Sequence, residues 1–206
     1  MNSYFITGIS TDVGKTLVAA AITQALEADY WKPIQSGGIE HSDRMEVQRL
    51  ISNDVTVFHK ERYFLETPMS PHEAAAIDGI TIALEEINRP HTENHLVIEG
   101  AGGLLVPLND KHTIIDLIQP TDKVILVSSG YLGSINHTLL SIEVLKSLGI
   151  ACAGIIYNQV ELSGTIEIIE KMTGVPTIAH LSHLESLNAQ TVATVASSMR
   201  EKLLIL

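Results

Sequence analysis

Residues 8–16, Gly8-Ile9-Ser10-Thr11-Asp12-Val13-Gly14-Lys15-Thr16, constrain this chain more than any other stretch. They stand between the apolar Tyr4-Phe5-Ile6 and a helix-like run over 17–27. A strand, a glycine loop and Gly-Lys-Thr opening a helix form the layout of a phosphate-binding loop. Glycines let backbone N–H groups crowd around phosphate oxygens, and a helix N-terminus adds about half a positive charge. Lys15 is placed to reach the outer phosphates, and the Thr16 hydroxyl to ligate Mg2+. Five residues separate Gly8 from Gly14, one more than in the common form of the motif, so this is a longer variant of the loop.

Apolar strand-like runs alternate with helix-like segments along the rest of the chain. The pattern predicts strands at 4–7, 30–33, 95–99, 123–128, 151–157 and 177–179. It predicts helices at 15–27, 43–51, 80–87, 135–148, 165–173 and 189–202. Continuously apolar strands separated by helices imply an α/β, three-layer P-loop NTPase fold, its mostly parallel sheet covered on both faces. At 206 residues, 45% hydrophobic and 18% charged, the expectation is one globular domain over 1–206. Residues 53–71 are the least regular and read as a lid or an added hairpin. Ligands of such sheets bind at the carboxyl ends of the strands. The unusual residues fall there: 8–16, 32–38 and 99–103.

Charge and cysteine usage exclude several classes. The net charge is −11, and the 13 Lys and Arg are scattered, which argues against a nucleic-acid surface. No apolar run approaches the ~20 residues that a bilayer span needs, and Met1-Asn2-Ser3 lacks the basic start of a signal peptide. The expectation is a cytoplasmic protein without a membrane partner. The single cysteine, Cys152, sits in an apolar run and reads as a buried strand residue. The nine histidines show no zinc-protease spacing; His91 and His95 are four apart, with Pro90 before them.

Three further segments converge on the edge that carries the glycine loop. Lys32, followed by Pro33-Ile34-Gln35-Ser36-Gly37-Gly38, reads equally well as a cation projecting into the ligand crevice or as a solvated lysine beside a turn. Asp43 reads as a helix N-cap or as a carboxylate near Mg2+, a hard cation that prefers oxygen ligands. Glu99 ends an apolar run and precedes Gly100-Ala101-Gly102-Gly103. A carboxylate there is costly unless paired or metal-bound, and the glycines let backbone approach a ligand closely. Thr16, Asp43 and Glu99 thus offer three oxygen ligands for Mg2+. Lys15 and Lys32 offer two cations for a γ-phosphate or an attacking anion.

These residues resemble a known family. The loop 8–16, Lys32-Pro33, Ser36-Gly37, Ser42-Asp43, Ser70-Pro71-His72, Glu99-Gly100-Ala101-Gly102-Gly103 and the stretch 132–140 occur in the order seen in dethiobiotin synthetases. The likeness runs from residue 4 to about 158. It implies an ATP-dependent cyclo-ligase of biotin synthesis, acting on 7,8-diaminononanoate, CO2 and MgATP. It gives catalytic roles to Lys15, Lys32 and Thr11. Nucleotide contacts fall to Asp12, Val13, Gly14, Lys15, Thr16, Leu17, Asp43, Glu99, Gly100, Ala101 and Gly102, with Asn158 and Gln159 at the base. Ser36 contacts the substrate. Gly133, Ser134, Ile135 and Asn136 become a helix N-terminus receiving the substrate's distal carboxylate across a homodimer interface. Orphan N–H groups and the helix dipole favour an anion there. Without the likeness, Asn136 is an ordinary polar residue in a first helical turn.

The sequence departs from that family late in the chain. Asn158-Gln159 stands where many members carry Asn-Asp, and Ser182-His183-Leu184 where they carry Pro-x-Leu against the base. A loose nucleotide preference is the corresponding expectation. The competing reading is a regulatory, dimerising ATPase of the partition or septum-placing kind. Those loops carry an extra lysine just after the first glycine, and residues 9–13 hold none.

Overall fold

The computed structural model describes residues 1–206. In chain order the elements are β1 (Ser3–Gly8), α1 (Lys15–Leu26), β2 (Asp29–Trp31), β3 (Ile34–Ser36) and α2 (Asp43–Leu50). Then come β4 (Phe58–His59), β5 (Tyr63–Leu65), α3 (Pro71–Asp78), β6 (Leu96–Gly103) and β7 (Asp122–Ser129). The last are α4 (Ser134–Ser147), β8 (Cys152–Asn158), α5 (Ser163–Thr173), β9 (Thr177–Leu181) and α6 (Ala189–Leu204). Seven strands form one parallel sheet in the order β4-β2-β6-β1-β7-β8-β9. β3 and β5 pair in parallel as a small second sheet.

Successive strand residues face opposite layers, as the period of two demands. Tyr4, Ile6, Tyr30, Val97, Ile125, Val127 and Ile156 pack in one core with α1, α2 and α6. Phe5, Trp31, Ile98 and Val124 pack in the other, with α3 and the buried end of α4. Leu126, Ile155 and Tyr157 continue that second face against α4 and α5. Helix α1 is buried nearly throughout, and its Val18-Ala19-Ala20-Ala21-Ile22 run shows why. Small side chains let it lie close on the sheet while α6 packs along its other side. No helix is long and apolar enough to cross a membrane.

Two expectations for the first half need correction. Residues 53–71 are not a hairpin: β4 joins the main sheet parallel to β2, and β5 pairs in parallel with β3. Residues 80–87 hold only one tight turn, Leu84–Glu86. The helix there is α3, which ends earlier at a left-handed Gly79. After it, side chains take the backbone groups that a helix would need. Asn109 Nδ2 donates to the Ile82 carbonyl at 2.8 Å, and the Ala83 N–H donates to the Tyr63 hydroxyl at 3.1 Å. The third difference bears on the site. β6 runs on through Gly103, so Glu99 lies inside a strand rather than at its end.

Candidate active site

The glycine loop leaves the central strand β1 and closes back upon it. A Cβ on Gly8 would lie 2.7 Å from Val13 Cγ2 and 2.8 Å from the Ser10 carbonyl, so the loop's return requires glycine there. The loop ends at Gly14, whose φ of +94° disfavours other residues. Of the six α-helices, α1 and α4 alone start from a left-handed glycine, Gly14 and Gly133. Neither start has a side-chain cap or an acid in its first turn. By contrast, α2 and α6 are capped by Ser42 and Asn188. The first N–H groups of α1 and α4 are therefore left for an outside acceptor.

Beside this loop a buried charge network joins three elements. The Lys32 ammonium donates to Glu99 Oε1 at 3.0 Å and to Asp43 Oδ2. Thr16 Oγ1 donates to the same Glu99 Oε1 at 3.0 Å, and the Tyr30 hydroxyl donates to Oε2 at 2.8 Å. The Glu99 side chain is fully enclosed, Lys32 is 6% exposed, and Asp43 is 31% exposed. Burial alone pushes the Lys32 ammonium's pKa down, but Glu99 and Asp43 outweigh it and hold it above the usual lysine value. Lys32 is therefore no solvated lysine. Asp43 is no cap either, because the Ser42 hydroxyl accepts from the Met45 N–H.

Lys15 differs. It is buried, and its ammonium donates to the Ser10 carbonyl at 3.1 Å. Burial lowers its pKa; Glu99 pulls it back up and Lys32 pushes it down. The oxygen donors Thr16, Asp43 and Glu99 suit a hard divalent cation. No group of three His, Cys, Asp or Glu forms a self-sufficient metal cage. An ion held here would thus need Thr16 and phosphate oxygens to complete its shell.

The strand-end glycines of β6 reach the loop through an irregularity in pairing. Ile6 pairs with Glu99 but Gly8 pairs with Gly103, so Gly100, Ala101 and Gly102 bulge towards the loop. A Cβ on Gly102, at φ +68°, would lie 3.5 Å from Thr11 Oγ1. Thr11 and Asp12 form the exposed crest, and Asp12 itself is left-handed at φ 58°. Val13 is buried beneath the crest, and Leu17 packs at the edge of the α1-side core.

On the other side of β1 opens a cavity of about 1530 Å³. Asp12, Gly133, Ser134, Ile135, Asn136, Asn158 and Gln159 all line it, so the expected base and carboxylate stations share one opening. Ser182 and His183, the departures noted above, line it too. Asn158 is doubly placed. Its Nδ2 donates to the Val13 carbonyl at 3.1 Å and packs on Gly14, while its buried Oδ1 has no partner. Lys32 and Ser36 do not line this cavity. Ser36 ends β3 with a buried, unpartnered hydroxyl. His72 is exposed at the start of α3, its Nδ1 3.1 Å from Ser70 Oγ.

The sequence alone does not single out Tyr30, which reads as one more apolar strand residue. The available signal was its spacing: two residues before Lys32, it must share the lysine's face of the strand.

Comparison with known proteins bears on this geometry. A family model described as an AAA domain matches residues 2–191. The ATP-dependent dethiobiotin synthetase of Christiangramia forsetii is 53% identical, covering 98% of this chain and 97% of its own. That of Cytophaga hutchinsonii is 47% identical, covering 95% and 96%. This chain belongs to the dethiobiotin synthetase family. It is an enzyme, an ATP-dependent cyclo-ligase. Solved structures also resemble it in shape. The septum site-determining protein MinD of Pyrococcus horikoshii, complexed with Mg-ADP, aligns with TM-score 0.61 at 16% identity over 98% of this chain and 96% of its own. A ParA family ATPase of Chlorobium tepidum aligns with TM-score 0.59 at 14% identity, over 99% and 96%. At such identities the likeness carries the fold, that of P-loop NTPases, and nothing of the regulatory role.

Proposed function

We propose that this ligase closes 7,8-diaminononanoate and CO2 into dethiobiotin, driven by MgATP. The observation that carries the reading is the Lys32–Glu99–Asp43–Thr16 network beside an uncapped α1. It brings together a cation, carboxylates and orphan N–H groups, the set of groups that phosphoryl transfer between anions calls for. Membership of the dethiobiotin synthetase family supports the substrate.

In this reading one substrate amine adds to CO2 and loses a proton, giving a carbamate. A carbamate oxygen attacks the γ-phosphorus, ADP leaves, and a carbamic-phosphoric anhydride remains. The second amine attacks the carbonyl carbon, loses its proton and expels phosphate, which closes the cyclic urea. Lys15 and Lys32 hold the carbamate and the transferring phosphoryl group, with Thr11 and Asp12 at the loop crest beside them. Val13, Gly14 and Leu17 shape the loop and the helix start around the phosphates, and Gly100, Ala101 and Gly102 bring backbone against them. Asn158 and Gln159 face the base. Thr16, Asp43 and Glu99 would hold Mg2+, which supplies charge neutralisation between the phosphates. Ser36 contacts the diamine end.

The substrate carboxylate goes to Gly133, Ser134, Ile135 and Asn136 of a second copy. Lys32 follows β2 and Gly133 follows β7, three strand spacings apart, or about 14 Å across the sheet. The resemblance to dethiobiotin synthetases, rather than this spacing, supports a second copy as the source of that station, because Lys15 and Asp12 follow β1, the neighbour of β7. Tyr131, Leu132 and Ile135 beside that start are exposed, apolar surface of the kind that a homodimer would cover.

The test is the fate of carbon. With isotopically labelled bicarbonate, ATP and the diamine, label should enter the ring carbonyl, with one ADP per ring formed. Label entering no cyclic urea overturns the substrate assignment.

A further inference from the structure

Tyr30 lies on β2 in register with Val97, so its next same-face neighbours along the two strands are Lys32 and Glu99. It is fully buried, and its hydroxyl donates to Glu99 Oε2 at 2.8 Å. The other carboxylate oxygen, Oε1, accepts from both Thr16 and Lys32 at 3.0 Å. The two oxygens thus have separate tasks. Oε2 is held from beneath by a neutral donor, and Oε1 is turned to the side of the phosphate-binding helix. Burial foremost, and then Glu99 itself, holds the phenol's pKa well above its usual value, so it remains a donor. Of the other tyrosine hydroxyls, those of Tyr4, Tyr63 and Tyr131 bond Leu203, Glu86 and His137, and that of Tyr157 has no partner.

We propose that Tyr30 is a positioning residue: its hydroxyl fixes the Glu99 carboxylate so that Oε1 is presented, with Thr16, to the magnesium–phosphate site. This rests on the reading of Thr16, Asp43 and Glu99 as the residues that hold Mg2+. A carboxylate anchored at one oxygen loses less freedom when it meets an ion, and removing such an outer anchor weakens metal binding. Glu99 is enclosed, so no water replaces the lost donor in Tyr30→Phe.

The experiment is a calorimetric titration of ADP binding against Mg2+ concentration. Tyr30→Phe is compared with wild type and with Tyr4→Phe, which removes an equally buried hydroxyl that donates only to the Leu203 carbonyl. The expected result is that Tyr30→Phe needs about 10-fold more Mg2+ for half the effect. Its ADP affinity in chelator stays unchanged, and Tyr4→Phe tracks wild type. In turnover, kcat falls at fixed Mg2+ while KM for the diamine holds. If Tyr30→Phe and wild type superimpose while both respond to Mg2+, Tyr30 has no positioning role and the magnesium reading stands. If wild-type binding ignores Mg2+, both fall. The native protein gives a second test that needs no folded variant. With ring-labelled tyrosine, the Tyr30 signal should shift when Mg2+ joins the ADP complex, and five tyrosine signals indifferent to Mg2+ overturn the proposal.

Discussion

Lys15 and Lys32 are both buried ammonium groups, yet their surroundings give opposite expectations. Lys32 neutralises Glu99 and Asp43, so Lys32→Ala leaves an enclosed carboxylate without its partner. Calorimetry or urea unfolding should show a loss of about 3–5 kcal/mol along with the loss of activity. Lys15 meets only a carbonyl oxygen, so Lys15→Ala should melt near wild type while kcat/KM falls at least ~10²-fold. Near-normal turnover removes Lys15 from the mechanism. The pH dependence follows with the same contrast. Burial lowers the Lys15 pKa, so Lys15 loses its proton before an ordinary lysine, and kcat/KM should decline on that alkaline limb. Lys15→Arg should move the limb to higher pH. The Lys32 pKa is raised in the fold, so its stabilisation is complete below the ordinary lysine value of 10.5 and is lost only as pH rises through the raised one. The sequence left Lys32 open between crevice and solvent because its carboxylate partners lie 11 and 67 residues away. Tyr30 was illegible for the same reason, with its partner 69 residues distant.

Elements whose apolar runs are continuous were readable within a few residues: β1, β7 and β8 fill the centre of a sheet covered on both faces. Three of the short elements were not. β3, β4 and β5 have two or three residues each, too few for a period to emerge. The end of β6 is glycine-rich and carries no strand signal, since its pairing with β1 is a tertiary choice. Over 80–87 the apolar spacing suggests a helix, but long-range bonds hold an extended path. That path ends at Arg89, which makes two 2.5 Å bonds to the fully enclosed Asp122 at the start of β7. Asp122→Ala should therefore cost about 3–5 kcal/mol in urea unfolding. KM for ATP should hold, because this pair sits at the strand ends away from the glycine loop. A large rise in that KM would show that the two ends of the sheet are coupled.

At the scale of the whole molecule, parallel order and right-handed crossovers bring residues distant in sequence to one edge. That edge is legible in the sequence for the glycine loops and Glu99, while Lys32 and Asp43 each keep a second reading there, as a solvated lysine and a helix N-cap. What the sequence left out is that Gly133–Asn136 and Lys32 lie on either side of β1, which follows from strand order alone. A site shared between two copies has a direct signature. Lys15→Ala and Gly133→Asp homodimers should each be nearly inactive, the latter with weakened diamine binding and near-normal ATP binding. Mixed and re-associated in equal amounts, they should recover about a quarter of wild-type activity, since half the dimers then hold one intact site. No recovery would place both stations in one chain. Whether ATP cleavage here serves ring closure is tested by phosphate release from MgATP with bicarbonate, with and without 7,8-diaminononanoate, and mass detection of the product. Phosphate and cyclic urea should appear together, and only with the diamine. Slow phosphate release indifferent to the diamine would contradict that role.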